Sequence, residues 1–124
     1  MADFQMLSGL GQVAEDYDAL LCDIWGVIHN GKVPFWEACH ALERFRAERG
    51  PVILISNSPR PSVAIPEQFR QVGVPGELWD GIVTSGDATI DELSRRAPGP
   101  AFKLGPDRDD TLYENLDMNF ADLG

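Results

Sequence analysis

Basic residues are scarce in this 124-residue chain: ten lysines and arginines stand against twenty aspartates and glutamates, giving a formal charge of −10 at pH 7. Such a surface repels nucleic-acid phosphates and anionic lipid. It excludes both as partners and makes any anionic ligand depend on a local cation or a cluster of backbone N–H groups. Cysteine is nearly absent. Cys22 and Cys39 fit neither a disulfide framework nor a zinc pattern, so both read as small buried hydrophobes in a reducing compartment. No apolar stretch approaches the roughly 18 residues of a membrane span, and residues Met1 to Ala14 lack the basic-then-apolar pattern of a secretory leader. The expectation is a soluble, cytoplasmic protein comprising one domain or part of one, without internal repeats.

What the chain does have is strand and helix signals in alternation. Ala19 to Cys22 is an apolar run too short for a helix, and it stops at Asp23 with Gly26 close behind, so it reads as a buried strand with a carboxylate at its carboxyl end. The β-branched run from Pro51 to Ser56 predicts a second strand, buried on both faces. Gly81 to Thr84 predicts a third, and Ala101 to Leu104 a fourth. Between them, Ala38, Leu42 and Phe45 make an apolar stripe on a helix from Phe35 to Arg49, started by Pro34 and capped by Gly50. A second helix runs from Ile65 or Pro66 to Val72 and is closed by Gly73. The third runs from Asp87 to Ala97 with Ser85 as its N-cap. Brief helices are expected at Gly11 to Asp16 and Thr111 to Asn115. The loop from Trp25 to Pro34, with the turn-forming pair Asn30-Gly31, lies over Asp23 as a small flap. This order predicts an α/β, Rossmann-like fold, a parallel sheet with right-handed crossovers and helices on both faces.

In such a sheet ligands gather at the carboxyl ends of the strands. Three ends carry polar groups here: Asp23 on the first, Ser56 and Asn57 on the second, Thr84 and Ser85 on the third. Small hydroxyls and the N–H groups opening the following helices can hold a phosphate. A carboxylate on a strand end can act as nucleophile, metal ligand or base. With a magnesium ion offsetting charge, Asp23 can attack phosphorus in line.

Taken together, Leu21-Cys22-Asp23-Ile24-Trp25-Gly26, Ile53-Leu54-Ile55-Ser56-Asn57-Ser58 and Ile82-Val83-Thr84-Ser85-Gly86 resemble the first half of a haloacid dehalogenase (HAD) superfamily hydrolase, subclass IIA. The resemblance implies a magnesium-dependent phosphatase acting on a small phosphorylated metabolite through an aspartyl-phosphate. Asp23 would be the nucleophile and a magnesium ligand, and the main-chain carbonyl of Trp25 a second ligand. Ser56 would bind the transferring phosphoryl group beside Asn57, and Thr84 and Ser85 would line the site. The family usually places a second aspartate, its general acid/base, where this chain has Trp25. An indole cannot shuttle a proton at neutral pH, which leaves His29 or water to protonate the leaving group. Nothing after Gly105 resembles the family's later lysine and acidic metal ligands. The chain therefore reads as residues 1–104 of a core plus an acidic tail or cap beginning at 105–124, the N-terminal portion of a protein about twice as long.

Plainer roles stand beside these. Asp23 can be a turn residue, Ser56, Asn57 and Ser85 helix caps, Trp25 flap packing, His29 a surface residue and the acidic tail a solvated face. Arg60 can attract an anion. Two other functions remain open: a non-catalytic module or inactive fragment that binds phosphorylated ligands, and a receiver that accepts a phosphoryl group on an aspartate.

Overall fold

The computed structural model describes residues 4–122. Three parallel strands, β1 (Leu20–Cys22), β2 (Val52–Ser56) and β3 (Gly81–Thr84), lie side by side in that order. The helices α1 (Trp36–Glu48) and α2 (Ile65–Val72) form the crossovers, and α3 (Ser85–Arg96) follows β3. This is the α/β, Rossmann-like arrangement with a parallel sheet. Among the described residues no helix is long and apolar enough to cross a membrane.

The core forms where the apolar stripes of α1 and α2 meet one face of the sheet. Cys39, Leu42 and Phe45 from α1 and Ile65 and Phe69 from α2 are buried with Val52 and Leu54 of β2. The other face differs from the expectation for β2. Ile55 is 44% exposed, and its neighbours Leu21 and Val83 are 66% and 49% exposed, so β2 is buried on one face only among the described residues. A β-branched run reports strand propensity and cannot tell whether a second layer is present.

Ends and connections refine several boundaries. Gly73 closes α2 at φ 87°, as expected. Arg49 caps α1 instead of Gly50, and position 50 is glycine because a Cβ there would sit 2.0 Å from the carbonyl oxygen of Asp18. The cap of α3 is Thr84, not Ser85. The Thr84 hydroxyl accepts the Asp87 N–H at 3.0 Å while the Asp87 carboxylate accepts the Thr84 N–H at 3.0 Å, a reciprocal capping box. The N-terminal segment forms two 3₁₀ turns, Leu10–Gln12 and Ala14–Asp16. The expected fourth strand shortens to β4 (Ala101–Phe102). It pairs with β5 (Phe120–Ala121) in a separate two-stranded sheet, and a 3₁₀ helix spans Asp107–Leu112 between them. The Pro-Gly-Pro run before Ala101 offers too few N–H groups for a longer ladder.

Two carboxylates stitch the crossovers. Asp80 accepts the Val52 N–H and the Arg46 guanidinium, both at 2.8 Å, tying the entry of β3 to β2 and α1. Asp87 also accepts the Ser62 N–H at 2.9 Å and the Ser62 hydroxyl at 3.1 Å, tying α3 to the segment before α2. The Val52 bond and then Arg46 hold the Asp80 carboxyl below the usual carboxylate range. For Asp87, burial pushes upward, but the bonds from Ser62 and Thr84 outweigh it and hold that carboxyl low as well. A depressed folded-state pKa stabilises the fold above the unfolded-state value and loses that contribution as pH falls through the folded one. Asp87→Ala is therefore expected to cost about 1–2 kcal/mol at pH 7. The gap in thermal midpoint between wild type and variant, followed by circular dichroism, should close as pH drops below about 4. A gap independent of pH would contradict this account.

Candidate active site

Beyond β1 the chain enters a turn that is tightly bonded to itself. The Ile28 N–H donates to Ile24 at 2.8 Å, Gly26 N–H to His29 at 2.9 Å and Phe35 N–H to Ile28 at 2.8 Å. The Asn30 side chain accepts the N–H groups of Lys32 and Val33 at 3.0 Å, so the Asn30-Gly31 pair makes the turn its residue types predict. Ile24 and Ile28 are fully buried, anchoring this flap to the core.

The flap holds Trp25 half exposed, with its ring 4.8 Å from the His29 ring in an edge contact. His29 is fully buried, contrary to the surface position expected of a loop histidine. Its Nδ1 accepts the Gly31 N–H at 2.9 Å, which puts the neutral ring's proton on Nε2. That nitrogen is buried without a partner among the described residues. Burial holds the imidazole below its usual range, so it stays neutral. Enclosed between Trp25 and Phe69, His29 lines no hollow at the strand ends and is not placed to protonate a leaving group.

Asp23 extends from the end of β1 with its carboxylate exposed. It lines a hollow of about 430 Å³ with Asn57, Leu21, Cys22 and Ile55. The register explains this meeting: Cys22 pairs with Leu54, so Asp23 leaves the sheet level with Ile55, just short of the Ser56-Asn57 turn. Ser56 and Thr84 are register partners one step further on, and both are buried. Their hydroxyls are engaged locally, Ser56 accepting the Ser58 N–H at 3.1 Å and Thr84 capping α3. Ser85 is exposed at the first turn of α3. The structure thus brings Asp23 and Asn57 into one hollow, whereas Ser56, Thr84 and Ser85 are not among the residues that line it. Cys22 is half-buried; burial first, then the Asp23 charge, pushes its thiol up to about 11, leaving it inert.

The turn after β2 is fixed from the side. Gly86 donates its N–H to the Ser58 carbonyl at 3.1 Å, and a Cβ at position 86 would lie 2.4 Å from the Pro59 carbonyl oxygen. Only glycine permits α3 to approach this closely. A second cleft, of about 320 Å³, shares Asn57 with the Asp23 hollow and is walled by Trp25, Arg60, Arg108 and Asp109. Sequence reasoning missed Arg108, which sits in the acidic segment read as a solvated face.

The donor set for a metal is sparse. Among the described residues no three His, Cys, Asp or Glu side chains cluster. A carboxylate on an exposed strand end is nevertheless the kind of ligand that suits magnesium, which binds through one or two carboxylates and keeps water and substrate phosphate for its remaining positions.

Residues 20–119 match the profile of the haloacid dehalogenase-like hydrolases. The chain belongs to that family. A haloacid dehalogenase-like hydrolase from Brucella suis 1330 superposes with a TM-score of 0.84 at 37% identity, covering 96% of this chain and 45% of that one. Two structures of a glycerol phosphate phosphatase from Mycobacterium tuberculosis, one in complex with calcium and one with magnesium, share the fold at a TM-score of 0.58. They are 21% and 19% identical, covering 88% of this chain and 32% and 33% of theirs. The chain spans less than half the length of each of these solved chains. Among curated protein sequences, none matches it.

Proposed function

We propose that Asp23 is the nucleophile of a magnesium-dependent phosphatase of HAD subclass IIA that acts on a small phosphorylated metabolite through an aspartyl-phosphate. The observation that carries this reading is the exposed Asp23 carboxylate at the end of β1, sharing a hollow with Asn57. One carboxylate oxygen attacks phosphorus and the ester P–O bond breaks. Water then attacks the same phosphorus, releasing inorganic phosphate and restoring the carboxylate. Asn57 orients the phosphoryl oxygens. Ser56, Thr84 and Ser85, at the ends of β2 and β3, complete the phosphate-binding rim in this reading. Asp23 and the Trp25 carbonyl would hold the magnesium ion, which supplies positive charge against the phosphoryl oxygens. Trp25 offers no acidic proton, so the departing alcohol takes its proton from water.

Trp25 also favours a second reading, a module that binds phosphorylated ligands without turnover. The two separate in one experiment. The chain is incubated with magnesium and acetyl phosphate, quenched in acid, and Asp23 is examined by mass spectrometry for a base-labile phosphoryl group. Phosphorylation at Asp23 that decays in water supports the phosphatase. Saturable phosphate binding without any modification of Asp23 overturns it in favour of the module.

A further inference from the structure

A third cavity has no residue in common with the Asp23 hollow or the cleft beside it. It holds about 400 Å³ between α1 and the N-terminal 3₁₀ turns, with Leu10, Ala14, Ala41 and Phe45 as its apolar walls. Glu15 and Glu48 line it together with Arg44 and Arg49, so its charges balance. Arg49 holds the cavity in shape. Its guanidinium donates to the carbonyls of Ala14 at 3.2 Å and Glu15 at 2.7 Å, tying the second 3₁₀ turn to the end of α1. A pre-formed apolar hollow of this kind can receive side chains with little reorganisation.

The chain carries its own occupant for it. Residues 4–8 have no regular structure and no charge; Phe4 and Met6 are 88% and 91% exposed, and Leu7 is exposed as well. This arm leads directly into Gly9 and Leu10, which form part of the cavity wall. It does not fill the cavity of its own copy: Gly9 is extended, at φ 175° and ψ 161°, and the Ser8 N–H donates to the Gln12 side chain at 2.7 Å, so the arm runs out into solvent. Large apolar side chains left in water beside an empty apolar hollow mark a contact surface.

We infer that the arm of residues 4–7 docks into this cavity on a second copy of the chain, each copy filling the other in a two-fold dimer. Arm and cavity adjoin at Gly9, so an axis passing near that residue brings both arms to both cavities at once, the isologous closure of a symmetric pair. Phe4 and Met6 are the anchors. An aromatic ring and a flexible thioether suit an irregular hollow walled by Leu10, Ala41 and Phe45. The uncharged arm and the balanced rim let two chains of formal charge −10 meet without like charges at the contact. The contact is separate from the strand ends and stands independently of the phosphatase reading.

Sedimentation velocity of the full 124-residue chain over a concentration series reads the dimer directly. The wild type should pass from monomer to dimer as concentration rises. Phe4→Ser combined with Met6→Ser should weaken association by about a hundredfold or more, since each anchor is lost twice per dimer. Both side chains are exposed in the single copy, so the double variant should melt at the wild-type temperature. Ala41→Phe, which fills the cavity from its wall, should weaken association likewise. A wild type that stays monomeric throughout the series overturns the inference. So does a dimer that survives the arm substitutions, which would place the contact on the open sheet face of Leu21, Ile55 and Val83. A dimer that is lost with the arm but survives Ala41→Phe overturns it too, because the arm would then be seated elsewhere.

Discussion

Asp23→Asn is expected to remove turnover of a phosphate ester by roughly 10⁴-fold or more, the scale seen when a nucleophile is deleted from a covalent mechanism. The substitution keeps shape and changes only chemistry: a carboxamide oxygen cannot form a stable bond to phosphorus and return a carboxylate. The structure makes the experiment clean. The Asp23 side chain is exposed and supports no capping or crossover bond of the kind that Asp80 and Asp87 provide, so the variant should melt at the wild-type temperature. Hydrolysis of p-nitrophenyl phosphate with magnesium is the measurement, and a variant that retains activity would place the nucleophile elsewhere.

Trp25→Asp is expected to act in the opposite direction. A positioned acid beside the leaving group contributes about 10² to 10⁴ in rate, and the indole contributes none. The gain should appear with an alkyl phosphate, whose alkoxide leaves poorly without a proton. It should be small with p-nitrophenyl phosphate, whose phenolate departs unaided. The contrast between the two esters, read as kcat/KM, separates general acid catalysis from a nonspecific opening of the flap. Some stability is lost, since Trp25 covers one side of the buried His29 ring. Equal gains on both esters would mean that position 25 does not face the leaving group.

The elements with strong local signals were readable in the sequence. The stripe of α1, the glycine that closes α2 and the three parallel strands emerge within a residue or two because periodicity and turn chemistry are local. The site was legible only in part. Asp23 and Asn57 meet because strand ends in a parallel sheet gather by topology, which the order of elements already implies. The cap of α3 moved to Thr84 because its partnership with Asp87 depends on which residue leaves the sheet, a difference of one residue that propensity cannot resolve. His29 was misplaced for a similar reason. Loop residues usually face water, but this loop folds back and bonds to itself, drawing Ile28 and His29 inward. Arg108 was invisible because its place in one cleft with Trp25 and Arg60 arises from distant segments meeting, which leaves no trace in a local window.

The closeness of α3 to the turn after β2 constrains both segments. Position 86 performs no chemistry, yet its lone hydrogen sets the gap to the Pro59 and Arg60 backbone. A side chain there would push away the turn that carries Asn57 and Arg60, and displacements of about 1 Å at a reacting centre can cost on the order of a hundredfold in rate. The two segments share a single tolerance. A change in either segment therefore calls for a matching change in the other, and position 86 is constrained by its neighbours' backbone rather than by any chemistry of its own.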